Sequence, residues 1–257
     1  MIPSFQILQR TVTPYQLCVL LGVFAAVAAA FFLARRRHLD YGELAYLFLF
    51  SVPAVVLGGS LIFGLTNVRI IAALLRAADR IPSGELWTAI LLCFRGSVYY
   101  GGLLALLAVL GLYRRRRHLG DDDSDLVAAV IPLFHAFGRI GCFLCGCCYG
   151  VECRFGVTYH YAVVELANGV PRLPVQLIEA VFNFALFAFL TIQFYKAKNR
   201  GLLLHFYLFA YPVFRFFIEF LRGDAYRGIW CGLSTSQWIS LLLLLGNGIV
   251  FLRKRKH

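Results

Sequence analysis

Long apolar runs separated by short polar segments occupy most of the chain. A helix needs roughly 20 apolar residues to cross the hydrocarbon core of a bilayer, so each long run predicts a membrane-spanning helix. The predicted spans lie near residues 15–33, 44–65, 98–113, 126–145, 175–195, 202–221 and 235–252. Open sheet edges are not stable in lipid. The pattern therefore predicts an all-α, polytopic integral membrane protein with about seven transmembrane helices.

Composition agrees with this class, and the distribution of charge predicts an orientation. The 257 residues are 60% hydrophobic and 15% charged, and the mean hydropathy is +0.75. Basic residues cluster at 35–37, 114–117, 196–200 and 253–256, which are alternate ends of the predicted spans. The positive-inside rule then places the N-terminus outside and the C-terminus in the cytoplasm. The net charge of +12 is interpreted as anchoring to anionic lipid, and no nucleic-acid partner is expected.

Nothing in the sequence divides the chain into separate domains. There is no repeat, low-complexity tract or long linker, so residues 1–257 are predicted to form a single transmembrane domain. Residues 67–92 are amphipathic with a Pro82-Ser-Gly break, which is typical of an outer interfacial arm that gates substrate entry. Residues 151–174 predict an outer loop, with a short strand at 157–161. The first apolar run lacks the features of a cleaved signal peptide and is expected to be retained.

Polar residues recur at the spacing of one helix face in three predicted spans. They are His135, Arg139 and Cys142 in the fourth span, Gln176, Glu179 and Asn183 in the fifth, and Arg215, Glu219 and Arg222 in the sixth. A charged residue at the centre of a membrane helix costs about 2.5–3.5 kcal/mol on insertion scales, so such residues indicate a functional site. The three faces predict a polar chamber between helices.

The arginines in this chamber favour a phosphate ligand. A guanidinium group stays ionised and binds phosphate oxygens through two parallel hydrogen bonds, whereas an ammonium acts as a point charge. Glu219 is placed to orient one arginine. The alternative is a buried ion-pair network that only locks helices together. Arginines on two separate helices, Arg139 and Arg215, exceed what packing requires and favour a bound phosphate headgroup.

Five short motifs follow one another along the chain. They are Tyr100-Gly101-Gly102-Leu, Gly-Arg139-Ile-Gly-Cys-Phe, Pro-Val-Gln176-Leu-Ile-Glu179, Arg215-Phe-Phe-Ile-Glu219-Phe-Leu-Arg222-Gly-Asp and Ser-Thr-Ser-Gln237-Trp. Together they resemble the bacterial prolipoprotein diacylglyceryl transferases, and the resemblance spans nearly the whole chain. The order of the motifs and a seven-span topology with the N-terminus outside are also similar to this family.

The resemblance implies an activity and a set of partners. The activity is transfer of the diacylglyceryl group from phosphatidylglycerol to the lipobox cysteine thiol of a preprolipoprotein, with glycerol phosphate released. The implied partners are phosphatidylglycerol, prolipoprotein signal peptides and the lipid bilayer. The implied location is the bacterial cytoplasmic (inner) membrane, which the chain crosses several times. No cofactor and no metal are expected.

The same resemblance implies roles for individual residues. Arg139 and Arg215 would bind the headgroup and act in catalysis, and a tyrosine in the family's first span corresponds to Tyr15. The residues with implied substrate-binding roles are Tyr15, Gly101, Gly102, Gln176, Glu179, Glu219 and Arg222.

Departures from the family pattern affect the proton transfer. Cys142, Cys145 and Cys147 stand where the family usually has Asn, Asn and Glu, and Tyr100 stands where a His is common. His135 is therefore the hypothetical general base, because imidazole has a pKa near 6.5 whereas that of a phenol is near 10. The equally weighted alternative is a histidine that only hydrogen-bonds a backbone carbonyl.

The cysteines leave two other functions open. Residues 142–153 contain five cysteines, which would suit a membrane thiol or metal redox protein, although small buried cysteines explain most of them as packing residues. A noncatalytic lipid-binding relative of the transferases would keep the arginines but need no base.

Overall fold

A computed structural model of the chain describes residues 5–7, 10–117, 119–197, 199–224 and 228–254, which are mainly helical. The helices are α1 (Pro14–Ala34), α2 (Tyr41–Thr66), α3 (Val68–Arg76), α4 (Ser83–Leu92), α5 (Tyr99–Arg117), α6 (Asp121–Cys145), α7 (Val175–Tyr195), α8 (Leu203–Ile218) and α9 (Thr235–Lys254). Short antiparallel pairs join β1 (Phe5–Ile7) to β2 (Arg10–Val12), β3 (Glu152–Thr158) to β4 (Pro171–Arg172) and β5 (Ile229–Trp230) to β6 (Leu233–Ser234).

Six helices in the described part of the chain are long and apolar enough to cross a bilayer. They correspond to six of the predicted spans, and the predicted third span lies in α5, which ends in four arginines. The all-α membrane fold is therefore confirmed, while the count of seven spans and the orientation stay predictions. The orientation was predicted from clusters of basic residues, and two parts of these clusters, Lys198 and residues 255–256, lie outside the described residues.

The chain divides into two compact units. The first contains residues 1–39 and 121–257, as far as they are described, and α6 lies at its centre. Every residue from 124 to 133 in α6 is buried, because α1, α7 and α8 pack around this helix. From Leu126 to Leu133 this helix is apolar on all sides, which suits such a position. Neighbouring helices thus surround α6, the helix that carries His135 and Arg139.

The second unit, Asp40–Gly120, consists of α2 to α5. Backbone contact between α2 and α5 requires glycine, since a Cβ on Gly101 would lie 2.3 Å from the carbonyl oxygen of Gly58. A Cβ on Gly102 would approach Val55 to 3.0 Å. These two glycines, expected from the resemblance to bind substrate, therefore have a packing role in this unit. Residues 67–92, the predicted arm, form α3 and α4 here, and the organisation of both units as one transmembrane domain stays a prediction.

A buried carboxylate joins helices at the end of the first unit remote from Arg139. Asp125 of α6 is fully buried and accepts hydrogen bonds from the backbone N–H groups of Gly201 and Leu203, at 2.6 and 2.9 Å. Arg37 lies 3.8 Å from the same carboxylate and also pairs with Asp122. Because the first N–H groups of a helix lack intrahelical partners, Asp125 caps α8 from a neighbouring helix.

Replacing Asp125 with alanine is expected to destabilise the first unit by about 3 kcal/mol, because two buried N–H groups and Arg37 lose a charged partner. The measurement is the apparent melting temperature of the detergent-solubilised protein, which should fall by several degrees. Glu85→Ala, at an exposed position in α4, is the control and should leave it unchanged. An Asp125→Ala protein with the same apparent melting temperature as the wild type would contradict the capping role of Asp125.

Candidate active site

Four buried charged side chains from three helices meet within the first unit. Arg139 of α6 forms an ion pair through Nε with Oε2 of Glu179 on α7. The other carboxylate oxygen of Glu179 lies 3.5 Å from Nη1 of Arg215 on α8, and Nη2 of Arg215 lies 2.5 Å from Oε2 of Glu219. The structure thus brings together Arg139, Glu179, Arg215 and Glu219, which the sequence placed on three different helices.

Glu179 is the central member of this group because it bridges the two arginines. Its side chain is only 1% exposed, and those of Arg139 and Arg215 are 9% and 4% exposed. Burial removes the hydration of all these charges, so the network adds little net stability compared with apolar residues of the same volume. A network of this kind is better suited to holding guanidinium groups ready for an anion than to stabilising the fold.

Neutral polar groups complete the surroundings of the arginines. His135, one helical turn before Arg139, is buried, forms a hydrogen bond with Asn183, and packs edge-on against Tyr211 with ring centroids 5.0 Å apart. Arg215 donates a 3.4 Å hydrogen bond to the hydroxyl of Ser236 at the start of α9. Ser236 lies in the last of the five sequence motifs but was missed as a site residue, because only packing brings α9 against α8.

A tight turn after α6 folds two cysteines back onto a third. The N–H of Gly146 donates to the carbonyl of Phe143 and the N–H of Cys147 to that of Cys142, both at 3.1 Å. This double hydrogen bond ends a helix in the Schellman motif, which favours glycine at the left-handed position, and Gly146 has φ of 70°. The Sγ atoms of Cys142, Cys147 and Cys148 consequently lie within 4.8 Å of one another.

The backbone of this turn is strained at Cys148, whose φ of 58° costs a non-glycine residue on the order of 1–3 kcal/mol. Hydrogen bonds with the Cys142 and Cys147 thiols hold the pKa of the Cys148 thiol well below its usual range, and the positive charge of Arg222 lowers it further. Cys148 is therefore the member of the group that most readily becomes a thiolate. We call Cys142, Cys147 and Cys148 the cysteine triad.

Two polar side chains hold the triad's turn in place. Gln176, in the first turn of α7, donates a 2.7 Å hydrogen bond to the carbonyl of Cys147. Tyr159 in turn donates to Oε1 of Gln176 at 3.3 Å. Gln176, expected to bind substrate, thus also positions the cysteines. Tyr159 was not singled out from the sequence, because it lies in the segment between α6 and α7, which has no helical periodicity.

Known proteins resemble this chain over nearly its whole length. A family model described as prolipoprotein diacylglyceryl transferase matches residues 3–253. The chain belongs to this family. The phosphatidylglycerol–prolipoprotein diacylglyceryl transferase 2 of Clostridium perfringens is 33% identical over 247 residues, covering 92% of this chain and 90% of that protein. The transferase of Clostridium tetani is 28% identical over 249 residues, covering 96% of this chain and 95% of that protein. The transferase of Bordetella parapertussis is 32% identical over 249 residues, covering 93% of this chain and 89% of that protein.

The structure places the remaining expected transferase residues as follows. Tyr15 lies in the first turn of α1, and a Cβ added at Gly141 of α6 would be 3.1 Å from it. Arg222 does not continue the helix face of Arg215 and Glu219, as the sequence predicted, because α8 ends at Ile218 and the backbone is extended at Arg222. Arg222 forms two hydrogen bonds with Asp224, at 2.9 and 2.6 Å, and interacts electrostatically with Cys148 and Arg139. Tyr100 lies in the first turn of α5 in the second unit, where it is buried.

Of the five cysteines between 142 and 153, only the triad gathers into one cluster among the described residues. Cys145 is buried in α6 and interacts with Cys18 of α1, and Cys153 lies in β3. The five-cysteine cluster considered from the sequence is thus reduced to three thiols.

Close backbone contacts connect the triad's turn to the ends of α7 and α8. The N–H of Gly150 donates to the carbonyl of Leu173 at 3.1 Å, and that of Gly223 donates to the carbonyl of Tyr149 at 3.0 Å. A Cβ at Gly150 would lie 2.4 Å from the Leu173 oxygen, a distance that real Cβ atoms do not adopt. A side chain at position 150 would therefore push the turn away from Leu173, and Gly150 also forms a backbone bridge with Arg222.

We expect Gly150→Ala to displace this bridge, and with it Arg222, and to lower transferase activity about tenfold or more, since misplacing a binding group by 1 Å has effects of this size. The readout is the initial rate of lipid transfer by folded protein. Gly246→Ala is the matched control, because a Cβ there meets nothing within 4 Å. Equal rates for both variants would show that the bridge is dispensable.

Proposed function

We propose that this protein transfers the diacylglyceryl group of phosphatidylglycerol to the lipobox cysteine thiol of prolipoproteins in the bacterial cytoplasmic membrane. The observation that carries the proposal is the pair of buried guanidinium groups, on α6 and α8, bridged by the single carboxylate of Glu179. The names of the relatives, all transferases acting on phosphatidylglycerol and prolipoprotein, support the same reaction.

Arg139 and Arg215 bind the phosphate of the lipid headgroup. The phosphate diester carries one negative charge, and the departing glycerol phosphate gains more as its bond to carbon breaks. Guanidinium groups fixed in a site without bulk water stabilise that growing charge more than they stabilise the bound substrate, which accelerates the reaction. Glu179 and Glu219 keep both groups oriented before the lipid arrives.

The reaction forms one bond and breaks one. The sulfur of the acceptor cysteine attacks the glycerol carbon that carries the phosphate, and a carbon–sulfur bond replaces the carbon–oxygen bond. Glycerol phosphate leaves with the electron pair, and the thiol proton passes to a base. His135 is the proposed base, since it lies one helical turn before Arg139 and a neutral imidazole nitrogen can accept a proton. Tyr100 is the second candidate, at the position where a histidine is common in the family.

Other residues position the two substrates. Arg222, which is hydrogen-bonded to Asp224, is a further partner for the anionic headgroup. Tyr15 and Gln176 line the part of the site next to the cysteine triad. The acceptor is a prolipoprotein signal peptide, whose apolar segment reaches the site through lipid.

The test is acceptor-dependent release of glycerol phosphate. Phosphatidylglycerol labelled in its headgroup is incubated in liposomes with the purified protein and a lipobox peptide. Labelled glycerol phosphate should appear only when the peptide carries its cysteine, and not with a Cys→Ser peptide. Release that does not depend on the peptide would indicate a phospholipase, and the absence of release from folded protein would overturn the proposal.

A further inference from the structure

The cysteine triad forms a three-sulfur donor set beside the arginines. Its Sγ atoms lie within 4.8 Å of one another, and Cys142 is buried while Cys147 and Cys148 are partly exposed. Three thiolates are the donors that zinc accepts, and zinc sites with three protein ligands keep a fourth position open for water or substrate. The partial exposure of two cysteines leaves such an open side.

We propose that Cys142, Cys147 and Cys148 bind a zinc ion whose fourth position takes the thiol of the acceptor cysteine. This inference rests on the proposed transferase function and adds a metal to it. The triad is held ready for the ion by its own turn, because the hydrogen bonds of the Schellman motif and the contact from Gln176 fix the backbone at Cys147.

The charges around the triad suit a zinc–thiolate centre. Three thiolates and one Zn²⁺ carry a net charge of −1, and a fourth thiolate makes it −2. Arg139 and Arg222 both interact electrostatically with Cys148, and each is itself oriented by a carboxylate, Glu179 or Asp224. Cations next to the sulfur ligands offset the surplus negative charge, as groups outside the ligand sphere commonly do at metal sites.

A zinc ion at this position would supply the deprotonated acceptor. The acceptor thiol replaces a zinc-bound hydroxide and transfers its proton to it, so that water leaves and a zinc-bound thiolate remains. That sulfur then attacks the glycerol carbon, and glycerol phosphate leaves with the electron pair. Zinc keeps its charge throughout, so no oxidant or reductant is consumed. In this scheme the zinc-bound hydroxide accepts the thiol proton before the transfer step, so it takes the place of His135 as the base.

The experiment replaces zinc with cobalt and follows the spectrum. Purified protein loaded with Co²⁺ should show thiolate-to-cobalt charge-transfer absorption from three thiolates and the visible bands of a tetrahedral site. Adding a lipobox peptide should raise the charge-transfer absorption by one further thiolate, whereas the Cys→Ser peptide should not. Zinc content measured on separate samples should be about one ion per chain for a single site of this type.

Cysteine variants provide matched controls. Cys142→Ala and Cys148→Ala should each lower zinc content at least about tenfold, since removal of one of three ligands leaves too few for a stable site. Cys153→Ala, from the same outer segment but outside the triad, should bind zinc like the wild type. Because the cobalt spectrum of the wild type needs no variant, a misfolded variant does not affect the result.

Two results would overturn the inference. One is a wild-type protein without bound zinc or cobalt, including one whose triad thiols resist alkylation until a disulfide is reduced. The other is a bound cobalt ion whose charge-transfer absorption does not change when the cysteine peptide is added. If lipid transfer continues in either case, the metal role fails and the transferase function stands. If transfer is absent while zinc binds, the transferase function fails, and with it the metal's proposed role in transfer.

Discussion

Arg139→Lys is expected to lower the rate of diacylglyceryl transfer about 10²- to 10³-fold, the loss typical of removing one oriented donor to a developing anion. Lysine keeps the positive charge but cannot form two parallel hydrogen bonds to a phosphate, nor can it keep the Nε contact with Glu179. The measurement is the initial rate of lipid transfer to a lipobox peptide at saturating phosphatidylglycerol. A fall in this rate with little change in KM would place the effect in the transition state.

Arg37→Lys is the control for this variant. Arg37 is also an arginine of the first unit with carboxylate partners, and its side chain is only 8% exposed, but it lies at the opposite end of α6 from the proposed site. Its replacement should affect stability without a specific loss of transfer. If Arg139→Lys transfers lipid within about twofold of the wild type, the guanidinium group is not the anion-stabilising element.

Glu179→Gln is expected to destabilise the protein by about 3–5 kcal/mol, the usual result of removing one partner from a buried ion pair. Glu179 lies between Arg139 and Arg215, so the change leaves two buried guanidinium groups without their shared counter-charge. The apparent melting temperature in detergent should fall, and addition of phosphatidylglycerol should raise it more in the variant than in the wild type, because the lipid phosphate replaces the missing carboxylate.

Glu152→Gln tests whether this effect is specific. Glu152 also faces an arginine, Arg172, at 3.8 Å, but its side chain is 70% exposed, and an exposed pair contributes little. Its melting temperature and lipid response should match the wild type. A Glu179→Gln protein with wild-type stability and no enhanced response to the lipid would show that Glu179 does not hold the arginines.

The helices were predictable from the sequence because the bilayer imposes length and apolarity on each span. The fourth predicted span, residues 126–145, lies within α6, whose start at Asp121 extends into the acidic residues that favour a helix N-terminus. The short strand expected at 157–161 overlaps β3, Glu152–Thr158, only at the last two residues of β3, because β3 pairs with β4 from Glu152 to Thr158. In a short strand, the partner sets the boundaries more than local propensity does.

Most residues of the candidate site could be predicted from the sequence, but the contacts between them could not. Helical spacing placed His135 on the same face as Arg139, but it could not show that Glu179 bridges two arginines, because that contact depends on how three helices pack. The cysteine triad had a signal in the sequence, Gly146 directly after a helix, which is typical of a turn that folds back. Only the structure shows which thiols then meet.

The central claim is tested most directly by the intact mass of a lipobox peptide after incubation with the purified protein and phosphatidylglycerol in liposomes. The account predicts a mass increase equal to one diacylglyceryl group, located on the cysteine and stable to thioester-cleaving conditions, with glycerol phosphate formed in equal amount. An unmodified peptide in the presence of folded protein, or lipid attached equally well to a Cys→Ser peptide, would contradict it.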